Sequence, residues 1–398
     1  QVPLKYTYAD IIIHDGGFGD HPNNLGTAHF AEHMLAYAYP ALKDRLWESF
    51  VKELGLNSNF LTGPCTTRIY AHGLSEHVNL WLEKISESIC SLDYTDADID
   101  RERSAILNEM QLSLISAIHE DNYRPLRSLF GSGNRYAQAS GGLPQFLKDM
   151  SASDLKARSR EILQGHKMTL LYIGEQSHDS LCEQAERQFG ALPAGQRRRW
   201  EQPGTLKQTL LNPNNNAIDV STRIEVLFDV RHLDANDFVQ NNAALDLLNK
   251  ALYDVIRVRH KLAYTAYAHT LNAFGPFDFL KIDVSSDPCH TRKIFSAFGE
   301  ILRLIMTDDD YVHDFIQSAY IRQKTACAFN SANIDAAHRD ISNALLNQLP
   351  LISDEQNLSL LNAMTPQSLR QSLAGMIDNK CSALVISGDV QHKRLPDV

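Results

Sequence analysis

The sequence is poor in cysteine, has no long apolar run and carries no excess of positive charge. Six cysteines (Cys65, Cys90, Cys182, Cys289, Cys327 and Cys381) are scattered over 398 residues without a C-x-x-C pair. That spacing argues against a thiolate zinc site or a disulfide framework and leaves free thiols in a reducing compartment as the expectation. No stretch reaches 18 apolar residues, so no membrane span is expected. The formal net charge of −10 argues against a nucleic-acid binder. The one basic cluster, Arg197-Arg198-Arg199, reads as a solvated loop. The first residues lack the charged and apolar regions of a secretory signal, although the chain begins on Gln1 rather than Met. A cytoplasmic protein, bacterial in type, is the expectation. The apolar and charged fractions are those of an ordinary globular protein, and the length suffices for two substantial cores.

Against this plain background stands His29-Phe30-Ala31-Glu32-His33. Residues four apart share a helix face, so His29 and His33 can reach one metal ion together. Glu32 flanks the same face, where a carboxylate can sit beside a reacting water without being a ligand. Asn24 and Thr27 are candidate caps for this helix, and Pro40 marks its expected end. Phe30, Met34 and Tyr37 make an apolar stripe that can pack on the core while the histidines turn towards a cavity.

Catalytic zinc commonly takes three protein ligands. A second helix is expected over 98–117, where Ile99, Ile106, Met110 and Leu114 recur at helical spacing. Glu102 and Glu109 lie on another side of it, two turns apart. Seven residues separate their backbones by about 10 Å, so one of them can be a ligand while the other orients a ligand from behind. On helix geometry alone the pair could equally be a solvated acidic face beside Arg101 and Arg103.

The run Asn24-Leu25-Gly26-Thr27-Ala28-His29-Phe30-Ala31-Glu32-His33-Met34-Leu35 resembles the active-site signature of the pitrilysin/insulysin metallopeptidases, the inverzincins, which include the mitochondrial processing peptidases. The resemblance implies Zn2+, one ion per chain, held by His29, His33 and Glu109, the last standing 76 residues beyond His33 as the family's third ligand does. It implies Glu32 as general base and Glu102 as the auxiliary glutamate. The segment Leu56-Asn57-Ser58-Asn59-Phe60-Leu61-Thr62 is similar to the family's edge strand beside the metal, with Asn59 as a substrate contact. Arg257 and Tyr264, in Arg257-Val258-Arg259-His260-Lys261-Leu262-Ala263-Tyr264, resemble the family's substrate-binding arginine–tyrosine pair. There the arginine would hold a peptide carbonyl and the tyrosine would steady an oxyanion. The family usually has glycine where this chain has Lys261.

The chain also repeats itself. Residues 150–174 and 364–388 match without a gap at an offset of 214, each reading as a helix followed by an apolar strand ending in glycine. The Pro/Gly/Asn-rich stretch between the copies reads as a linker, giving domains 1–196 and 217–398 around a linker at 197–216. At the same offset His29 corresponds to Ala243, Glu32 to Asp246 and His33 to Leu247, so the second copy cannot build the same centre.

With the resemblance, the expected fold class is α+β: two homologous repeats, each an antiparallel-rich sheet with helices on one face. Strands are expected over 9–14, 68–73, 168–173, 223–230, 278–284 and 383–386, and long helices over 42–54, 78–92 and 98–117. The resemblance implies a zinc endopeptidase acting on short or unfolded peptides, leader peptides included. Family members enclose substrate in a chamber of four such domains, and this chain supplies two. A homodimer is therefore expected, or alternatively a heterodimer with a sister subunit. The contrasting expectation is a non-catalytic scaffold of the same fold.

Overall fold

In the computed structural model, residues 5–37, 47–115, 126–127, 129–131, 134–137, 140–198, 200, 209–211, 221–271, 279–330, 333–377 and 383–388 are described. The chain divides into two units, Gln1–Arg127 with Ser132–Gln202, and Ser128–Gly131 with Pro203–Val398.

The first unit is built on a four-stranded antiparallel sheet in the order β2-β3-β1-β4. Its strands are β1 (Tyr6–Ile13), β2 (Asn57–Thr62), β3 (Thr67–Leu74) and β4 (Met168–Ile173). Alternation is plain in β3, where Thr67, Ile69, Ala71 and Gly73 turn inward and their neighbours are less buried. The unit's helices are α1 (Thr27–Leu35), α2 (Trp47–Glu53), α3 (Ser75–Ser91), α4 (Asp96–Ile115), a single turn α5 (Pro144–Leu147), α6 (Ala152–Ile162) and α7 (His178–Phe189). Val78, Trp81, Leu82, Ile85 and Ile89 recur at three- and four-residue steps along α3 and join Phe30 and Met34 of α1 and Ile106 of α4 in one core over the sheet.

The second unit repeats the plan. Its sheet runs β5-β9-β6-β8-β7, with β5 (Thr209–Leu211), β6 (Thr222–Asp229), β7 (Ala263–Leu271), β8 (Phe279–Ser286) and β9 (Ala383–Gly388). All its pairings are antiparallel except β5 with β9, which is parallel. A long apolar helix, α8 (Phe238–Leu252), follows β6 and continues into a π-helical segment, Tyr253–Arg259. Then come α9 (Thr291–Thr307), α10 (Asp309–Asn330), α11 (Ile334–Asn347), α12 (Asp354–Asn362) and α13 (Pro366–Ile377). The matched segments of the sequence repeat fold alike, α6 and β4 in the first copy and α13 and β9 in the second.

The architecture is α+β, as expected. The helix expected over 42–54 is described only from Trp47, and residues 116–117 of the 98–117 helix lie outside the described residues. So do Arg199, Pro40 and most of the expected linker. The part of that linker at Thr209–Leu211 is strand β5. Arg197 and Arg198 correct the expectation of a solvated loop. Arg197 bonds the His14 Nδ1 at 2.9 Å, and Arg198 pairs with Glu161 at 2.5 Å and the buried Asp15 at 3.3 Å. The five cysteines among the described residues are free, and Cys381 lies outside them. Among the described residues no helix is long and apolar enough to cross a membrane.

Candidate metal centre

Helix α1 begins without a local side-chain cap. Its N-cap is Gly26, at a left-handed φ of +96° that L-residues avoid. The expected caps, Asn24 and Thr27, give the helix no side-chain cap; the Thr27 hydroxyl donates to the Asn24 carbonyl. Asp20 does the capping instead: its carboxylate accepts from the N–H of Gly26 at 2.8 Å and of Ala28 at 3.0 Å. Phe30 and Met34 fill the core beneath α1, which turns the other face, with His29, Glu32 and His33, towards α4 and the end of β2.

On that face the two imidazoles converge. His29 Nε2 and His33 Nε2 stand 3.2 Å apart. Glu109, on α4, places its Oε1 3.6 Å from His29 Nε2 and its Oε2 3.5 Å from His33 Nε2. These three residues are the one group of three or more His, Cys, Asp or Glu among the described residues whose donors could hold a metal ion. Donors about 2.0–2.2 Å from a tetrahedral zinc stand roughly 3.3 Å from one another, which the three separations approach. The donor set, two imidazole nitrogens and a carboxylate, is one that suits a divalent metal such as zinc.

Glu102 and Glu109 part company as the helix geometry requires. Glu102 turns away from the Nε2 atoms and takes His33 from behind, its Oε1 2.9 Å from Nδ1. Its other oxygen accepts the Tyr37 hydroxyl at 2.5 Å. Tyr37 therefore does more than extend the apolar stripe, since its ring leans on the core while its hydroxyl fixes Glu102. Among the described residues no such partner steadies His29, whose Nδ1 is buried without a hydrogen bond.

The electrostatics fit a cation between these groups. Burial lowers the pKa of His29, and a charge on His33 lowers it further. Burial also works against a charged His33, but the carboxylates of Glu102 and Glu109 outweigh it and raise its pKa. Two rings this close hold one positive charge between them, which is the charge a metal would replace. Glu32 is 4% exposed, and burial pushes its pKa up to about 7 against the opposing pull of His33 and Thr62. Its Oε2 accepts the Thr62 hydroxyl from the end of β2 at 3.0 Å.

Asn59 stands elsewhere. Alternation along β2 puts Ser58, Phe60 and Thr62 on the half-buried side and Asn59 on the exposed one, where its side chain accepts from the Phe60 N–H. Thr62, Tyr37 and Asp20 went unnoticed as site residues in the sequence. Of these, only Tyr37 carried a local signal, four residues beyond His33 and just past the end of its helix.

In the second unit, Arg257 and Tyr264 do meet. The guanidinium lies 4.3 Å from the Tyr264 ring centre and 5.3 Å from that of Tyr253. Tyr264 is 79% exposed and sits at a bulge in β7, between the partners of Ser286 and Ser285. Bulges re-aim a side chain in this way. Arg259 and His260 are both taken up by Glu300, which keeps them off Tyr264.

Two α+β units of one topology, one of them with an H-x-x-E-H helix and a distant glutamate gathered at its face, define a candidate metallopeptidase core. Residues 4–129 match the family described as Insulinase (Peptidase family M16), and residues 149–317 match Peptidase M16 inactive domain. The chain belongs to this pitrilysin/insulinase-type M16 family. Among relatives, the Caenorhabditis elegans mitochondrial-processing peptidase subunit beta is 25% identical over 185 residues, 46% of this chain and 40% of the relative. The matches thus span about two-fifths of the length of the first curated relatives. The periplasmic protease PqqL from Escherichia coli has the same fold at a TM-score of 0.78 and 17% identity, over 97% of this chain and 45% of that one. A peptidase M16 inactive domain from Pseudomonas fluorescens aligns at 0.79 and 15% identity, over 99% and 95%. These findings overturn the expectation of a cytoplasmic protein: the curated relatives are mitochondrial processing subunits, and the structural neighbours include a periplasmic protease.

Proposed function

We propose that the chain is a zinc-dependent endopeptidase of short or unfolded peptides, leader peptides among them. The observation that carries this is the convergence of His29 Nε2, His33 Nε2 and Glu109 beside the buried Glu32 carboxylate. His29, His33 and Glu109 would hold the ion, with Glu102 and Tyr37 fixing the His33 ring. Bound there, zinc supplies Lewis acidity, which acidifies water and polarises a peptide carbonyl. Glu32 takes the proton from the attacking water and passes it to the leaving amine, a task suited to a carboxyl whose pKa burial has moved towards neutrality. Thr62 keeps that carboxylate facing the reacting groups. Arg257 holds a substrate carbonyl and Tyr264 donates its hydroxyl to the oxyanion. Asn59, on the exposed side of the edge strand, contacts the peptide further out.

Two domains per chain make half of the family's chamber, so the proposal includes a homodimer whose sites each join the first domain of one chain to the second domain of its partner. A heterodimer is the alternative, and the naming of the relative as a subunit favours it. Mass in solution separates the two. A non-catalytic scaffold is the second reading, favoured by the match of residues 149–317 to a family described as inactive.

The test is a mixed peptide pool incubated with the protein, with and without a chelator, the cut sites being read by mass. Glu32→Gln should lower turnover at least about a thousandfold while zinc stays bound. A fully active Glu32→Gln protein would exclude Glu32 as the base, and a protein with neither zinc nor cleavage would favour the scaffold.

A further inference from the structure

A cluster of buried charges lies behind the helix that carries both histidines, and the reaction itself makes no use of it. Asp15 and Asp20 are both buried, as are Arg158 and Lys167. Arg158, on α6, spreads its guanidinium as a fork. Nε donates to Asp20 at 3.0 Å, and Nη2 donates to Asp15 at 2.9 Å and to the Gly16 carbonyl at 3.0 Å. Lys167 holds the other oxygen of Asp15 at 3.2 Å. Asp15 stands two residues beyond the end of β1, and Asp20 caps α1. One planar group therefore locks the end of the central strand to the start of the histidine helix.

Stability alone is a poor reason for this arrangement, because buried ion pairs are commonly matched or bettered by apolar packing. A local cap at position 26 is sterically shut out. A Cβ there would lie 2.6 Å from the Gly141 carbonyl, and a Cβ on the neighbouring Gly142 would lie 2.4 Å from the Gly26 Cα. The first turn of α1 thus has no cap of its own, and Asp20 alone, held by Arg158, accepts the N–H of Gly26 and Ala28. Ala28 immediately precedes His29. The same loop bears on His29, because a Cβ on Gly141 would stand 3.5 Å from its Nδ1. This is the ring that has no hydrogen bond behind it.

We infer that Asp20, clamped by Arg158, is a positioning residue for the metal centre: it fixes the rotation and advance of α1 so that both Nε2 atoms face Glu109. His33 has Glu102 and Tyr37 to orient it. Among the described residues nothing bonds His29 Nδ1, so that ring depends on the placement of its own backbone, and Asp20 sets that placement. The inference rests on the proposed metal reading and adds to it a residue that touches neither the metal donors nor substrate.

Asp20→Asn keeps the shape but replaces one accepting oxygen with an amide that cannot accept. The expected result is a zinc dissociation constant raised at least tenfold and a changed visible spectrum of the cobalt(II)-loaded protein. Ser177→Ala, which removes the N-cap of α7 in the same unit, should leave both within twofold of the parent. An Asp20→Asn protein that melts lower yet binds zinc and cobalt like the parent would show the cap to be purely structural and overturn the inference. Should Asp20→Asn not fold, Arg158→Lys keeps the charge without the fork; the same losses are expected, and parent-like metal binding would again overturn it. If the parent binds neither ion, the metal reading itself has failed, and the imidazole NMR signals of the metal-free protein decide the positioning. Those of His29 should move in Asp20→Asn and stay in place in Ser177→Ala; unmoved signals in Asp20→Asn would overturn the inference independently of any metal.

Discussion

Strands β2-β3-β1-β4 of the first unit and β7-β8-β6-β9 of the second are laid out in the same order, and each central strand leads into a helix, α1 or α8. At the repeat offset, α1 carries His29, Glu32 and His33, where α8 carries Ala243, Asp246 and Leu247. Ala243 and Leu247 are buried members of the second core. Asp246, at the offset of Glu32, keeps a carboxyl but an exposed one. The same backbone is therefore stabilised in two ways. At Ala243 and Leu247 of the second unit apolar contacts suffice, its buried charges Glu225, Lys281 and Asp283 lying on the sheet instead. In the first, polar groups stand where methyl groups would pack, and a set of partners drawn from α4, α6, β2 and the loop before α1 offsets their desolvation. Buried polar groups kept at this cost on α1 are what the proposed metal site asks of that helix.

Experiments can press on that contrast. The largest effect is expected from His33→Leu, which gives α1 the residue that α8 carries. Zinc retention after dialysis and peptide cleavage should both be lost, and a variant that kept either would remove His33 from the centre. The reciprocal change, Leu247→His, places an imidazole among apolar neighbours without a partner. It should cost about 3 kcal/mol in denaturant unfolding, with zinc remaining at one ion per chain. A second bound ion would mean that the repeat alone builds a site.

Glu32 links the contrast to pH. In the metal-free protein its folded-state pKa is raised from 4.5 to about 7, so folding takes up a proton between those values. The stability associated with the protonated form is complete below about pH 4.5 and is lost as pH rises through 7. Compared with Glu32→Gln, the metal-free parent should lose about 3 kcal/mol between pH 4.5 and 8, read from denaturant melts at each pH. Parallel curves would mean that Glu32 is solvated or paired in a way its burial denies.

The smallest effect concerns Lys261. It has a φ of +51°, a left-handed conformation that glycine adopts freely, at the place where relatives usually have glycine. Lys261→Gly should raise stability by up to about 1 kcal/mol in thermal or denaturant unfolding and leave zinc binding untouched. A loss of stability would show that the lysine side chain compensates for its backbone.

The fold was legible where pattern is local. Period-two alternation and apolar runs located β1, β3, β4, β6, β8 and β9 within a few residues, and helical spacing located α3 and α4. Strand β5 was missed because three residues amid Pro and Asn have no periodicity to show. The site was legible where side chains four apart must share a face, as His29 and His33 do. Choosing between Glu102 and Glu109 needed the resemblance, because both lie on one side of α4 and only tertiary packing separates their tasks. Asp20 was hidden because the cap lies several residues outside the helix it serves. The arginine that holds it comes from α6, 138 residues further along the chain.

The π-helical stretch Tyr253–Arg259 closes with bonds that skip five residues, His260 N–H to the Val255 carbonyl among them. Such a turn houses one residue more than an α-helical turn needs. Excising that surplus residue would let the backbone settle into ordinary winding and would re-aim the residues inside the widened stretch. Arg257 would then leave the ring it now lies against. The local irregularity thus works as an indexing device, and a shortened variant should gain order while its arginine points the wrong way.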